Sequence, residues 1–420
     1  MEKRSIQSRL RTDYRAARGR AVIDAVTTAA PEKEGFAMCK LHVGRCGHLW
    51  TWAAVFAALV ALPPDWSLAS GRTGQVEPFF ELHPLYEGQR FPSVVVALDG
   101  TVLAFRAQNR PVEVRRSEDG GATWGPIIQV GNTVGNLGAA IVDENSGDVL
   151  VFQSGGALYR SHDTGQTWQQ QEFTLEPDGF GGLGNTHGAD SGITLQHGEH
   201  SGRLLMPARV FPPGTDNSLP WRPYIYNSAI YSDDGGQTWQ TSIPFPVLGT
   251  GEAALAELSD GRIYYNSRSH MATDAMRRIG WSVDSGASWN NPEKCRYLPD
   301  GPRGTNYGCM GGLARLPLPE DDILLYSNLD EPTATRRRIT VWASLDGAQT
   351  WPVKRLIYDG PSAYSSLAAG RPGTPSEGLV YLLFEGGPGG MYSGLQLARF
   401  NLAWVLEGEP TGDGEVPKLE

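Results

Sequence analysis

Five times along this chain the pattern Ser-x-Asp-x-Gly-x-Thr-Trp recurs, and that repeat limits the possible folds more than any other feature. The copies are SEDGGATW (117–124), SHDTGQTW (161–168) and SDDGGQTW (232–239), then SVDSGASW (282–289) with Ser288 for Thr, and SLDGAQTW (344–351) with Ala348 for Gly. Successive first serines are 44, 71, 50 and 62 residues apart, so the units carry loop insertions of unequal length. Self-similarity at a period of tens of residues is the mark of arrays and propellers. Within each copy the Asp can accept from backbone N–H groups of its own turn, and the Gly tolerates positive φ. The Trp offers a broad apolar plate for packing between units. Between the copies lie short β-favouring runs bounded by Gly and Asp, such as FPSVVVALDGTVLAF (91–105) and GLVYLLFEGG (378–387). The expectation is an all-β chain, a six-bladed β-propeller of four-stranded antiparallel blades. Five blades would carry the motif and one would lack it, with LQLARFNLAWV (395–405) closing the ring onto the first strand. Because the motif's Asp recurs in every unit, it reads as scaffold and not as acid–base chemistry.

The first seventy residues read differently. LWTWAAVFAALVAL (49–62) is an uncharged run preceded by Lys40 and Arg45 and followed by Ser67-Leu68-Ala69. That is the order of a secretory signal: basic start, short apolar stretch, small residues at the cut. The run is shorter than the roughly 20 apolar residues of a comfortable membrane span. Residues 38–70 are therefore expected to be a signal peptide that sends the chain to the periplasm, cell surface or exterior, with no stable membrane span after cleavage. Residues 1–37, ahead of Met38, read as a start-site artefact or leader, and 71–420 as the folded domain. Residues 1–70 hold 10 of the 36 basic and 6 of the 46 acidic residues, leaving 26 and 40 in 71–420, a net charge of −14. So acidic a domain argues against nucleic acid as a partner, because phosphate binding needs clustered Lys and Arg. Of the cysteines only Cys295 and Cys309 lie in the domain, either bridged or as two buried thiols.

Against the repeated background four stretches are singular: Gln89-Arg90-Phe91-Pro92, GEAALAELSDGRIYYNSR (251–268), TRRRITVWASLDG (335–347), and SAYSSL (362–367) with YLLFEGG (381–387). In this order, among five such repeats, they resemble the sialidase family over nearly all of 71–420. The resemblance implies that Arg90, Arg268 and Arg336 grip a substrate carboxylate; by spacing, Arg337 and Arg338 stand beside Arg336 as alternatives. It implies that Tyr364 is the nucleophile, Glu252 its base, and Glu385 the support of Arg90. The chemistry of such a set is coherent. A sialic acid carries its carboxylate on the reacting carbon, and three permanently charged guanidinium forks can hold that anion. A carboxylate nucleophile would be repelled by it, whereas a neutral Tyr activated by a neighbouring Glu is not. The implied reaction is retaining, exo-acting hydrolysis of terminal sialic acid or a related keto-sugar acid from acidic glycans, with no metal or other cofactor.

The match has one gap. The family's acid/base Asp belongs on a loop between the first Arg and the first repeat, but AFRAQNRPVEVRRS (104–117) contains no Asp, and its Glu113 reads as part of a strand. The polar stretch NTHGADSGITL (185–195) offers Asp190, together with His187, as a replacement acid/base, with His187 also counted among the substrate-binding residues. Transfer to another acceptor would use the same residues. A degenerate propeller that binds anionic glycans without cleaving them is the alternative from another class.

Overall fold

The computed structural model describes residues 77–416 apart from 155, 272–273, 301–307, 320, 332 and 334. The expected leader and signal, 1–70, lie outside the described residues. The described chain is a β-propeller arrangement of five hydrogen-bonded sheets. The first two are four-stranded: Pro92–Val96 with Val102–Arg106, Glu113–Ser117 and Ile128–Gln129, and Leu137–Val142 with Val149–Gln153, Ala157–Ser161 and Gln169–Gln171. The third is built on Leu204–Val210, Tyr226–Ser232 and Thr238–Thr241. Short inner strands Gly184–Asn185 and Ile193–Thr194 flank it on one side, and Thr174–Glu176 on the other. The fourth runs Thr250–Glu257, Ile263–Ser269, Met276–Ser282, Asn290–Pro299.

The remaining sheet has eight strands because one of them, Val353–Ala369, is 17 residues long and serves two sets of partners. Up to Pro361 it pairs with Arg337–Ser344, and from Ser362 onward with Val380–Gly386. Gly394–Phe400 then pairs antiparallel with Phe80–Glu87, joining the two ends of the described domain. The strand expected over 395–405 thus stops at Phe400. The Asn401 side chain accepts from the Trp404 N–H at 2.9 Å and caps a helical turn, Leu402–Leu406.

The repeats form tight turns that use up their own polar groups. In the first, Thr123 N and Oγ1 donate to Asp119 at 2.9 and 2.6 Å, and Gly121 N donates to Ser117 Oγ at 2.8 Å. The bonds from Thr123 hold the Asp119 carboxyl at about 2. The same set recurs around Asp163 and Asp346. Two successive residues have positive φ in each turn (68° and 85° at Gly120 and Gly121), which is why Gly is favoured there; Ala348 adopts 67° in its place. The Trp rings bind the units together: Trp239 packs edge-on against Phe152 of the preceding sheet at 5.1 Å in a wholly buried cluster with Leu150 and Leu158. Cys295 and Cys309 are unbonded and buried, in separate core clusters; burial pushes the Cys309 thiol up to about 11.

Candidate active site

The antiparallel pairing places the start of each innermost strand beside the end of its neighbour, and the singular residues collect there. Glu252 lies near the start of Thr250–Glu257 and Arg268 near the end of the paired strand Ile263–Ser269. Tyr364 lies on the inner part of the long strand, and Glu385 near the end of Val380–Gly386. Arg90 stands two residues before Pro92–Val96 begins, and Arg336 immediately precedes Arg337–Ser344.

At the centre the Tyr364 hydroxyl donates to Glu252 Oε1 at 2.5 Å and accepts from Arg268 Nη1 at 3.1 Å. Arg268 also donates to Glu252 Oε2. Burial alone would raise the Glu252 carboxyl, but Arg268, His270 and Arg209 around it, with the Tyr364 hydroxyl, hold it well below the usual carboxylate range. Burial, then the Glu252 charge, push the Tyr364 phenol up, against the pull of Arg268 and Arg336. The resting pair is thus a protonated phenol hydrogen-bonded to an ionised carboxylate.

The other two guanidinium groups stand over the Tyr364 ring, Arg90 at 5.0 Å and Arg336 at 5.5 Å from its centroid. Arg90 is gripped by Glu385 through two bonds, Nε to Oε1 at 3.0 Å and Nη2 to Oε2 at 3.1 Å. Glu385 Oε1 also accepts from Phe91 N at 3.0 Å, and Oε2 from Tyr364 N at 3.3 Å. It therefore holds in place a short segment in which Gln89 and Phe91 both have positive φ, 62° and 66°. Arg336 donates to the Tyr392 hydroxyl at 3.0 Å and to the Gly308 carbonyl at 2.8 Å. Its neighbours Arg337 and Arg338 turn outward onto Asp359. Of the three candidates at that position, only Arg336 faces Tyr364.

Three residues at the site had not been singled out in the sequence. Arg209 Nη1 is 3.7 Å from Glu252 Oε1, and Tyr392 lies under Arg90 at 3.9 Å. His270 is buried beside Glu252 with neither ring nitrogen hydrogen-bonded among the described residues, and its proximity requires Gly at 251, where a Cβ would meet Nε2 at 1.9 Å. An Arg inside the apolar run LLMPARV was a legible signal for the first; Tyr392 and His270 had none.

His187 reaches this cluster; Asp190 does not. The ring of His187 meets Phe91 edge-on at 4.5 Å, and Gly188 lies so close to Glu252 that a Cβ there would be 2.7 Å from its Cγ. Asp190 is 1 % exposed, and its carboxylate accepts from Leu313 N and from Ser366 Oγ, both at 2.7 Å. Its N–H donates to the Ala253 carbonyl, while Ser191 bonds Ser93 and the Val94 carbonyl. The pair therefore ties the innermost strands of several sheets together, and both Asp190 oxygens are engaged in that tie. These bonds give the Asp190 carboxylate a structural role. Glu113 pairs with Arg106 at 2.7 Å along the sheet and supplies no substitute.

Burial raises the Asp190 carboxyl to about 7. A raised folded value means stability that is fully present below the unfolded value of roughly 4 and is lost as pH climbs toward 7. Asp190→Asn is expected to flatten that slope in unfolding free energy measured from pH 4 to 7, and to keep turnover within a few-fold. Asp190→Ala orphans Leu313 N and Ser366 Oγ, and is expected to cost about 1–3 kcal/mol. A hundredfold loss of activity in a fully folded Asp190→Asn would return the residue to the chemistry.

Over residues 153–375, a little more than half its length, the chain matches the BNR repeat-like domain. It belongs to that family. Among curated relatives, this BNR repeat-like protein is 30% identical over 375 residues to a sialidase of Micromonospora viridifaciens, covering 76% of this chain and 52% of the relative. The chain thus spans about half the length of that relative. Among solved structures it is similar to a Hadza microbial sialidase, with TM-score 0.59 at 23% identity over 76% of this chain and 66% of the other. The Trypanosoma rangeli sialidase in complex with 2,3-difluorosialic acid, a covalent intermediate, gives 0.53 at 18% over 76% and 54%. At these identities the structural likeness speaks for the fold.

Proposed function

We propose that this protein is an exo-acting, retaining sialidase that removes a terminal sialic acid, or a related keto-sugar acid, from glycoconjugates. The observation that carries the reading is the buried Tyr364–Glu252–Arg268 triple, hydrogen-bonded as described and overlooked by Arg90 and Arg336. Three guanidinium groups converging on one phenol suit an anionic substrate whose carboxylate sits on the reacting carbon. Tyr364 attacks that carbon as Glu252 takes its proton, and the aglycone leaves; water then releases the sugar while Glu252 returns the proton. Coupling proton transfer to attack matters here, because the depressed Glu252 and raised Tyr364 keep the phenol protonated until a substrate arrives. The sialidases among its relatives support the substrate class. In this reading the scaffold has six blades: the eight-stranded sheet divides at Pro361 into two four-stranded halves that share the long strand, one of them extended by the short Glu409–Pro410, and the other four sheets make up the rest. Export through residues 38–70 belongs to the same proposal and is tested by sequencing the N-terminus of secreted protein.

The experiment is fluorophore release from an aryl sialoside by the purified full chain. Turnover with net retention at the anomeric carbon, followed by NMR, is the expected result. Saturable binding of sialosides with no release would instead favour a glycan-binding propeller.

A further inference from the structure

The mechanism as described has no group to manage the proton of the leaving oxygen or of the incoming water. We infer that His187 does this through Nε2; the inference rests on the sialidase reading above. Its Nδ1 lies 2.8 Å from the Leu137 carbonyl, which can only accept, so Nδ1 carries the ring proton and Nε2 is left with a free lone pair. Among the described residues Nε2 has no hydrogen-bond partner. The ring is fixed on its other side by Phe91, which also contacts Tyr364 at 5.9 Å, so one aromatic side chain spaces the imidazole from the nucleophile. The next residue, Gly188, has φ +77° and packs on Glu252, which fixes the loop against the base of the Tyr364 couple. Asp190, two residues on from Gly188, anchors the same loop to several sheets. An imidazole held this way is oriented and mostly buried beside Glu252, a position that suits general acid–base chemistry.

The charged groups facing His187 are Arg209 and Arg90, which disfavour its protonation, and Glu252, which favours it; burial is the largest influence and brings the ring to about 4. His187 is therefore neutral near pH 7 and suited first to accept a proton. In the second half-reaction the oxygen of water attacks the anomeric carbon. The bond from that carbon to the Tyr364 oxygen breaks, with its electron pair returning to the phenolate. The water's proton passes to His187 Nε2, and the phenolate recovers its own from Glu252. In the next turnover the imidazolium gives its proton to the departing glycosidic oxygen, or to solvent where the leaving group is an acidic phenol. With the ring titrating near 4, little imidazolium is present at neutral pH to protonate a leaving group. The chain should accordingly favour substrates with good leaving groups.

The test compares wild type, His187→Ala and His187→Gln on an aryl sialoside, with stopped-flow release and mass spectrometry of acid-quenched enzyme. Both variants are expected to keep the initial burst and to lose about 10²-fold or more in steady-state rate. A sialyl adduct should accumulate on Tyr364, and azide, which needs no deprotonation, should restore turnover as a sialyl azide. Steady-state rates within threefold of wild type overturn the assignment, as does an equal loss of burst and turnover that azide leaves unchanged in folded protein. Wild type that neither bursts nor turns over removes the sialidase reading and this inference with it. An active wild type with indifferent variants removes only the inference.

Discussion

Tyr364→Phe is expected to lower kcat on an aryl sialoside by at least about 10³-fold while leaving the protein folded, as judged by thermal unfolding. The hydroxyl is the only atom removed, and it sits between Glu252 Oε1 and Arg268 Nη1. Those two groups remain paired with each other without it, so little stability is lost. Glu252→Gln should reduce turnover comparably but cost stability as well, since Arg268 and Arg209 both lose the charge that balances them. The contrast between the two variants separates nucleophile from base. The depressed Glu252 carboxyl also fixes the sign of a pH effect. Its contribution to stability is complete above the unfolded Glu value of roughly 4 and is lost as pH falls through the lower folded value. For the same reason the acid limb of kcat/KM, which reports the glycosylation step, should lie below the ordinary carboxylate range. Retention of substantial activity by Tyr364→Phe would end the covalent mechanism.

The propeller arrangement was legible because its signal is local. A turn built from one Asp, two residues of positive φ and a Trp specifies itself within eight positions, and repeating it announces the architecture. Arg90, Glu252, Arg268, Tyr364 and Glu385 were legible for a different reason: each lies in a singular stretch at a strand end, and strand ends are what the fold gathers at one place. The structural ties of Asp190 were not legible, because a polar, Gly-flanked loop looks the same in sequence whether it faces a cleft or threads between inner strands. Only the closed ring brings Leu313 N and Ser366 Oγ to its carboxylate from 123 and 176 residues away. The same non-local closure hid Tyr392 and His270, although His270 stands only two residues beyond Arg268. At 395–405 apolar alternation continued past the true strand end, and the deciding residue was the cap, Asn401.

Glu385→Ala is expected to be the most destabilising single change at the site, by about 3–5 kcal/mol in denaturant unfolding. The side chain is wholly buried and accepts from Arg90 twice, from Phe91 N and from Tyr364 N. Removing it leaves four donors of three residues without an acceptor, two of them on the charged Arg90. Arg90 retains some access to water, 17% of its side chain, which places the expected loss toward the lower figure. Activity should fall through both kinetic constants. An unanchored Arg90 weakens the grip on the substrate carboxylate and raises KM. Release of Phe91, held at positive φ, and of the Tyr364 backbone displaces the nucleophile and lowers kcat. Glu385→Gln separates charge from shape: its amide oxygen can still accept, but its NH2 must face an Arg90 donor, so stability and KM should fall between wild type and Ala. If Gln and Ala behave alike, the charge itself holds the segment. If both match wild type, Arg90 is positioned by its stacking on Tyr392 at 3.9 Å, and Glu385 is dispensable.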